Sequence, residues 1–432
     1  MQSTAVLTLL DAHTAAGREA ASPEAALATL PAVFAAVPNP RSRHGQRDDL
    51  PVLLTCLVAA LLCGCDALDA IGQWTHDRRT LLRRPCGPRR HLTPTGSRSR
   101  RLLPRLAAAH LAAALAAWAR QTRSLRDREP VACDGTVVRG AVPITQPAPH
   151  LRSVSTHETG ETLLQVRVDD KTNEIPVAQA VLPPLPLRGC VVTADALHTQ
   201  TATAPVILDQ QADDLLVVKD NQPRLHAERA ASVADSRATA RSATTTDRCP
   251  GRTETRTVDA PARLCASLTP YVPFPRIGQV ARLVRPIRET GQTRTETVDL
   301  LTSLTPRRAT PARLLALIRG HGSEEVRHRL RDVTFGEDHS RLRGGAAPQI
   351  RAALRTLALT LIRRTGETAI AAYRRHLAAH PSKALRLLRP KTHSRRLFTS
   401  PGRRAGRVDA CCARPALAGT ARLTGVDPPR IR

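Results

Sequence analysis

Aromatic residues are scarce in this 432-residue chain: two Trp, two Tyr and four Phe, 2% of the whole. So few rings argue against recognition of single-stranded nucleic acid, in which successive bases stack on side-chain platforms. Lysine is rarer still for its class, with Lys171, Lys219, Lys383 and Lys391 the only four among 65 basic residues. No Gly-Lys pair occurs, which removes a Walker-type phosphate loop, and there is no GxGxxG fingerprint. None of the ten cysteines forms a CxxC pair, and Cys63/Cys65 and Cys411/Cys412 stand too close together for a finger-type zinc site. The start of the chain lacks a basic segment followed by a long apolar core, so no signal peptide is expected. No uncharged run exceeds 16 residues, and the more apolar of the two of that length is Leu50 to Cys65. A membrane-spanning helix needs about 20, so this run reads as a buried helix, with no membrane partner. A reducing cytoplasm, with thiols mostly unpaired, is the expected location.

What is abundant is arginine. Lys+Arg number 65 against 37 Asp+Glu, a net charge of +28 and a pI near 11.4. Part of the excess fits the codon bias of a GC-rich genome, as does the plentiful Ala and Pro. Whatever its origin, the charge calls for a polyanionic partner, and with so few aromatics duplex DNA held by its backbone fits best. The 41% apolar fraction supports a folded chain of one large or two to three ordinary domains.

Along the chain, an alanine-rich start ends in a basic turn, Pro38 to Gly45, and a helical stretch runs from Leu50 to about Leu82. An Arg/Pro/Ser-rich linker at about 83–105 precedes a second helix, about Leu106 to Trp118. Short apolar runs then follow at Val131–Asp134, Leu163–Val168, Ile175–Leu182, Cys190–Ala194 and Leu215–Val218, each of buried-strand length and bounded by turn residues. Three strands followed by strand–helix–strand predict a mixed α/β layout. Alternating Thr/Arg pieces around 253–258 and 293–298 predict a polar-surfaced β region. Thr310-Pro311 is a helix start, a cap residue with proline in the first turn. Further on, Ile350, Leu354, Leu357 and Leu361 share one stripe, with Arg351 and Arg355 off it. From His339 to the end there are 21 Arg/Lys against three acids.

Two aspartates stand where open α/β sheets display catalytic groups. Asp134 closes the run Val131-Ala132-Cys133 and Asp195 closes Cys190 to Ala194, so each is expected at the carboxyl end of a strand. Taken singly, a strand-end Asp is as readily a turn former or helix cap. As a pair in a strongly cationic chain they suit Mg²⁺, which takes hard oxygen ligands, and a bound cation turns acids that would repel phosphate into an attachment for it.

The residues around them are not anonymous. Asp134-Gly135-Thr136-Val137-Val138-Arg139-Gly140 resembles the first-aspartate motif of the DDE transposases of bacterial insertion sequences, in the ISAs-type branch that includes the H-repeat-associated proteins. The similarity continues through Lys171-Thr172-Asn173-Glu174-Ile175-Pro176 and Val191-Val192-Thr193-Ala194-Asp195-Ala196-Leu197-His198-Thr199-Gln200. It goes on at Val217-Val218-Lys219-Asp220-Asn221-Gln222-Pro223 and at Asp332-Val333-Thr334-Phe335-Gly336-Glu337-Asp338, and covers most of residues 30 to 390.

This resemblance implies an α/β fold: an RNase H-like mixed-sheet core with a β-rich insertion and a helical N-terminal domain. It divides the chain into a helical, DNA-binding region at 1–125, the first part of the core at 126–222, the insertion at 223–309 and the helical end of the core at 310–390; residues 391–432 do not align with the family, and their charge and weak apolar periodicity predict a basic tail without fixed structure. It implies strand cleavage and strand transfer on double-stranded DNA, at element ends and target, by two Mg²⁺ or Mn²⁺ ions. The protein would be a homodimer or larger when assembled on DNA. Asp134 and Asp195 match the first two acids. The block that supplies the third reads His321-Gly322-Ser323-Glu324-Glu325-Val326, without the family's tryptophan and one residue short before Asp332. Counting back from Asp332 places the third acid on Glu324, with His328 also in register. Glu325 is one helical step, about 100°, away and would point elsewhere. His198, Lys219, Asn221, Arg139, Arg341 and Arg343 are the candidate DNA contacts, although Asn221 also suits a turn and His198 a structural hydrogen bond. Two alternatives stay open: an inactive DNA-binding remnant with a degenerate third-acid block, and a nuclease on the same core.

Overall fold

The computed structural model describes residues 30–46, 48–86, 94–123, 125–141, 149–168, 181–195, 203–218, 240–261 and 275–388. Its N-terminal part is helical: α1 (Leu30–Ala35), α2 (Leu50–Leu62), α3 (Leu68–Asp77), α4 (Arg79–Cys86), α5 (Gly96–Leu102) and α6 (Ala108–Thr122). The uncharged run forms α2, with Pro51 in its first turn, where a missing N–H costs nothing. It is buried on all sides except at Pro51, as a helix apolar all round must be. Among the described residues no single helix is long and apolar enough to cross a membrane.

The sheet has nine strands in the order β3-β2-β1-β4-β5-β9-β8-β7-β6. They are β1 (Pro130–Val137), β2 (His150–Thr156), β3 (Thr162–Val168), β4 (Val191–Ala194), β5 (Asp213–Val218), β6 (Ala240–Cys249), β7 (Arg252–Pro261), β8 (Gln279–Glu289) and β9 (Gln292–Thr302). Strands β1 to β3 form an antiparallel meander, while β1, β4 and β5 run parallel, with α7 (Thr203–Asp209) crossing between β4 and β5. This is the mixed α/β layout, joined to a helical N-terminal region, that the sequence implied for an RNase H-like core. Strand β2 was not among the apolar runs, because it carries Arg152, Ser153, Ser155 and Thr156. All four are buried by their partners rather than by their own apolarity. Of the run 175–182, residues 175–180 lie outside the described residues; Val181 and Leu182 are buried and not in a strand.

The polar β region is present as β6 to β9, and it does not stand apart. Strand β9 pairs antiparallel with β5, so the four strands prolong the core sheet. The chain then continues through α8 (Pro311–His321), α9 (Ser323–Arg329), a π-helical segment (Leu330–Thr334), α10 (Ala347–Arg363), α11 (Ile370–Ala379) and α12 (Pro381–Leu387). The N-terminal helices and α10 to α12 share one apolar core.

Two expectations need correction. Within the stretch read as a basic linker, Gly96–Leu102 is helical, capped by the Thr95 side chain, with Ser99 and Leu102 buried. Two of its three arginines are engaged: Arg98 pairs with Asp48 at 2.6 Å, and Arg100 pairs with Asp69. On α10, Arg351 and Arg355 do not face solvent but are each only 1% exposed. The helix is flanked on both sides, and its second face meets acceptors in place of water. Arg351 donates to the Asp66 carbonyl; Arg355 pairs with Glu337 at 3.7 Å. Arg374 completes this seam. It donates to Leu61 O (2.9 Å), pairs with Asp66 (2.7 Å) and lies 4.0 Å over the Phe335 ring. Buried guanidinium groups need such partners, and here they tie the α2–α3 loop to the segment that follows α9.

Candidate active site

Register sets the first two acids. In the β1–β4 pair Ala132 lies opposite Thr193 and Cys133 opposite Ala194. Asp134 and Asp195 are the next positions on two parallel neighbours; Asp195 follows the last residue of β4, as expected, whereas Asp134 stands within β1, which runs on to Val137 in its pairing with β2. The alternation of side chains puts Ala132, Asp134, Thr193 and Asp195 on one face of the sheet. Helices α8 and α9 pack against that face.

The turn into α8 forms as its sequence dictates: the Thr310 hydroxyl accepts from Arg313 N (3.4 Å), with Pro311 next. The helix runs to His321, and the chain restarts at Ser323 as α9. Gly320 has a packing reason to be glycine, since a Cβ there would stand 2.1 Å from His157 Nδ1. His157 Nε2 and His321 Nδ1 both meet the Thr193 hydroxyl, at 2.8 and 3.0 Å. Burial holds His157 down to about 3 and His321 to about 4, the Asp195 charge opposing the shift in His321. Both rings are therefore neutral at ordinary pH.

Glu324 lies in the first turn of α9, 2% exposed, whereas Glu325 is exposed. The buried carboxylate accepts from Ser155 Oγ on β2 (2.9 Å) and is ion-paired with Arg327. One turn further, on the same face, His328 Nε2 comes within 3.6 Å of Asp134 Oδ2. Burial, then Arg331, Arg327, Arg139 and His321, push His328 to about 3, which leaves its ring neutral. Asp134 accepts from the Gly135 N–H at 2.7 Å; burial raises its pKa, opposed by that N–H and by Arg152, Arg327 and Arg331. Arg331 is anchored to Thr136 Oγ1 at 2.9 Å.

Among the described residues, Asp134, Glu324 and His328 form a group of donors fit for a metal, their ligand atoms all within 4.8 Å of one another. Two carboxylate oxygens and one neutral imidazole nitrogen suit a divalent cation. Asp195 stands on the neighbouring strand, outside that group, and acts on His321 behind it. Arg139, Arg341 and Arg343 are exposed. His198, Lys219 and Asn221 lie outside the described residues.

Arg152 and Ser155 escaped the sequence reading because their strand did. Arg327 and Arg331 did leave a signal: they stand three and seven residues after Glu324, spacings that share a helix face.

A family model described as the transposase DDE domain matches residues 131–361, and one described as DDE_Tnp_1-associated matches residues 32–119. YncI of Escherichia coli O157:H7, assigned as a transposase, is 27% identical over 340 residues, 76% of this chain and 85% of its own length. YhhI of E. coli K12, an H repeat-associated protein with the same assignment, is 31% identical over 111 residues, 25% of this chain and 29% of its own. A cryo-EM structure of the piggyBac transposase synaptic complex with hairpin DNA overlaps 84% of this chain and 78% of that one. Its TM-score is 0.39 at 12% identity, too loose to bear on the argument. The domain match begins inside β1, just before Asp134, and ends inside α10, well past Glu324, so that the whole constellation falls within it: this chain belongs to the DDE transposase family.

Proposed function

We propose that the chain cleaves double-stranded DNA at the ends of its own element and joins the freed strand to a target, in a reaction that requires Mg²⁺ or Mn²⁺. The observation that carries this reading is the convergence of Asp134, Glu324 and His328 donors within 4.8 Å, beside Asp195 on the next strand. Asp134, Asp195 and Glu324 are the ligands we assign, to two ions, with the neutral His328 ring steadying the Asp134 carboxylate. A divalent cation supplies positive charge at the reacting phosphodiester, which these carboxylates cannot offer themselves. The chain's own part is to position. The parallel strands fix two carboxylates side by side, α9 brings the third, and the Ser155 hydroxyl fixes that third one's rotamer. The exposed Arg139, Arg341 and Arg343, with His198, Lys219 and Asn221, would hold the duplex through its phosphates, at a cost in affinity as salt rises. A cytoplasmic, nucleoid-associated dimer or larger assembly fits the need to handle two ends.

The test is a product assay on full-length protein with an end-containing duplex and Mn²⁺. Nicked and joined strands support this reading, and nicks without joined strands would indicate a nuclease on the same core. One observation favours the inactive remnant, namely that Glu324 is already paired with Arg327. Salt-sensitive binding without any cleavage, at any Mn²⁺ concentration, would decide for it.

A further inference from the structure

Three buried guanidinium groups surround the carboxylates. Arg152 is 1% exposed, Arg327 5% and Arg331 4%, and all three act on Asp134. Arg327 touches a proposed ligand directly. Its guanidinium pairs with Glu324, donates to Ser155 Oγ and reaches the Gly160 carbonyl at 3.3 Å. The Ser155 hydroxyl in turn donates to Glu324 Oε1 at 2.9 Å. Arginine, serine and glutamate thus close a ring of three. The berth is built for it: Gly160, between β2 and β3, has a φ of +63°, and a Cβ there would stand 3.3 Å from Arg327 Cδ and 2.5 Å from Arg363 Nη1.

Ser155 donates to Oε1 of Glu324, and Arg327 stands as an ion pair against Oε2, which has no hydrogen-bond donor among the described residues. A divalent cation needs one of those oxygens, and a guanidinium group in contact with the same carboxylate both occupies it and repels the ion. We propose that Arg327 is the resident counter-cation of the site, competing with the divalent ion for Glu324, so that metal entry requires the Arg327–Glu324 pair to open. The proposal rests on the metal-dependent reading above and adds what sets the concentration of ion that reading requires. Arg327 is a positioning residue in this scheme, since it acts through Glu324. Spaced three residues apart on one helix, the two side chains can part by a rotamer change of the arginine without moving the backbone.

The experiment is a Mn²⁺ titration of full-length protein, with free Mn²⁺ followed by its electron paramagnetic resonance at fixed pH and salt. Arg327→Met keeps the length of the side chain and removes the charge. Arg327→Gln removes the charge and keeps an N–H for the Gly160 carbonyl, which protects against loss of folding in the first variant. A unit charge within about 4–6 Å shifts a neighbouring ionic equilibrium by one to three powers of ten. Both variants should accordingly bind Mn²⁺ at least about tenfold tighter than the unaltered chain, Arg327→Lys should stay near it, and Asp134→Asn added to either should remove the gain. A merely structural ion pair would leave the affinity unchanged. If Asp134→Asn weakens Mn²⁺ binding but both charge-removing variants, folded by circular dichroism, bind no tighter, competition by Arg327 is overturned and the metal site stands. If Asp134→Asn alters Mn²⁺ binding in none of these backgrounds, the metal-dependent reading fails, and this proposal fails with it.

Discussion

Glu254 in the β6–β9 half of the sheet and Glu324 on α9, against the β1–β5 half, are both buried beside arginines, and their surroundings differ. In the β6–β9 half, Glu254 is 3% exposed and meets only cations: Arg256 at 2.7 Å, Arg252 at 3.1 Å and Arg285 at 3.4 Å. Against the β1–β5 half, Glu324 is 2% exposed and pairs with Arg327, yet Asp134 and His328 donors also lie within 4.8 Å. A carboxylate ringed by guanidinium groups has its charge satisfied and works as a fastener between strands. One that shares its pocket with a second carboxylate is satisfied only in part, because like charges must be offset by something more. Burial and an arginine partner do not distinguish the two; a second acid within ligand distance does.

That contrast can be broken in four places. Glu324→Gln should cost the most, about 1000-fold in metal-dependent cleavage, or about 4 kcal/mol at 1.36 kcal/mol per tenfold. Its Tm should fall as well, because the buried Arg327 loses its partner, so cleavage is compared on a variant shown to be folded by circular dichroism. Glu254→Ala should affect stability alone. Arg252 would be left without its acid partner, while Arg256 keeps Asp247 and Arg285 keeps Glu296, and the fold should lose about 3 kcal/mol in denaturant titration, with cleavage at low temperature within a few-fold of normal. Arg319→Ala removes a pair to Asp247 at 2.9 Å whose partners are 39% and 32% exposed, and should cost less than about 1 kcal/mol. Smallest of all, Thr246→Ala on the outer face loses one cross-strand contact to Thr255 at 3.1 Å, worth about 0.2–1 kcal/mol.

The fold was legible in the sequence where burial follows apolarity. The all-apolar α2, the runs that became β1, β3, β4 and β5, and the Thr310-Pro311 helix start all announce themselves locally. Strand β2 did not, since its buried residues are Arg152, Ser153, Ser155 and Thr156, satisfied only by partners far away in the chain. Arg351 and Arg355 misled for the same reason: their acceptors lie in the α2–α3 loop and around Gly336–Glu337, contacts that no helical periodicity encodes. At the candidate site the strand-end position of Asp195 followed from pattern, Asp134 proved to lie within β1 because β2 prolongs its pairing to Val137, and the register of α9 separated Glu324 from Glu325. The arginines around them were in view yet unassigned, because a basic residue in so basic a chain carries little information until its burial is seen.

The central claim is that the pocket at Asp134 and Glu324 binds the ions on which DNA cleavage depends. The most direct test compares Mn²⁺-dependent cleavage of an end-containing duplex by the unaltered chain, by Asp134→Asn and by Asp338→Asn, an exposed acid outside the pocket. Cleavage abolished in Asp134→Asn and retained in Asp338→Asn is the predicted result. Cleavage by Asp134→Asn at the unaltered rate, with the same Mn²⁺ dependence, would contradict it.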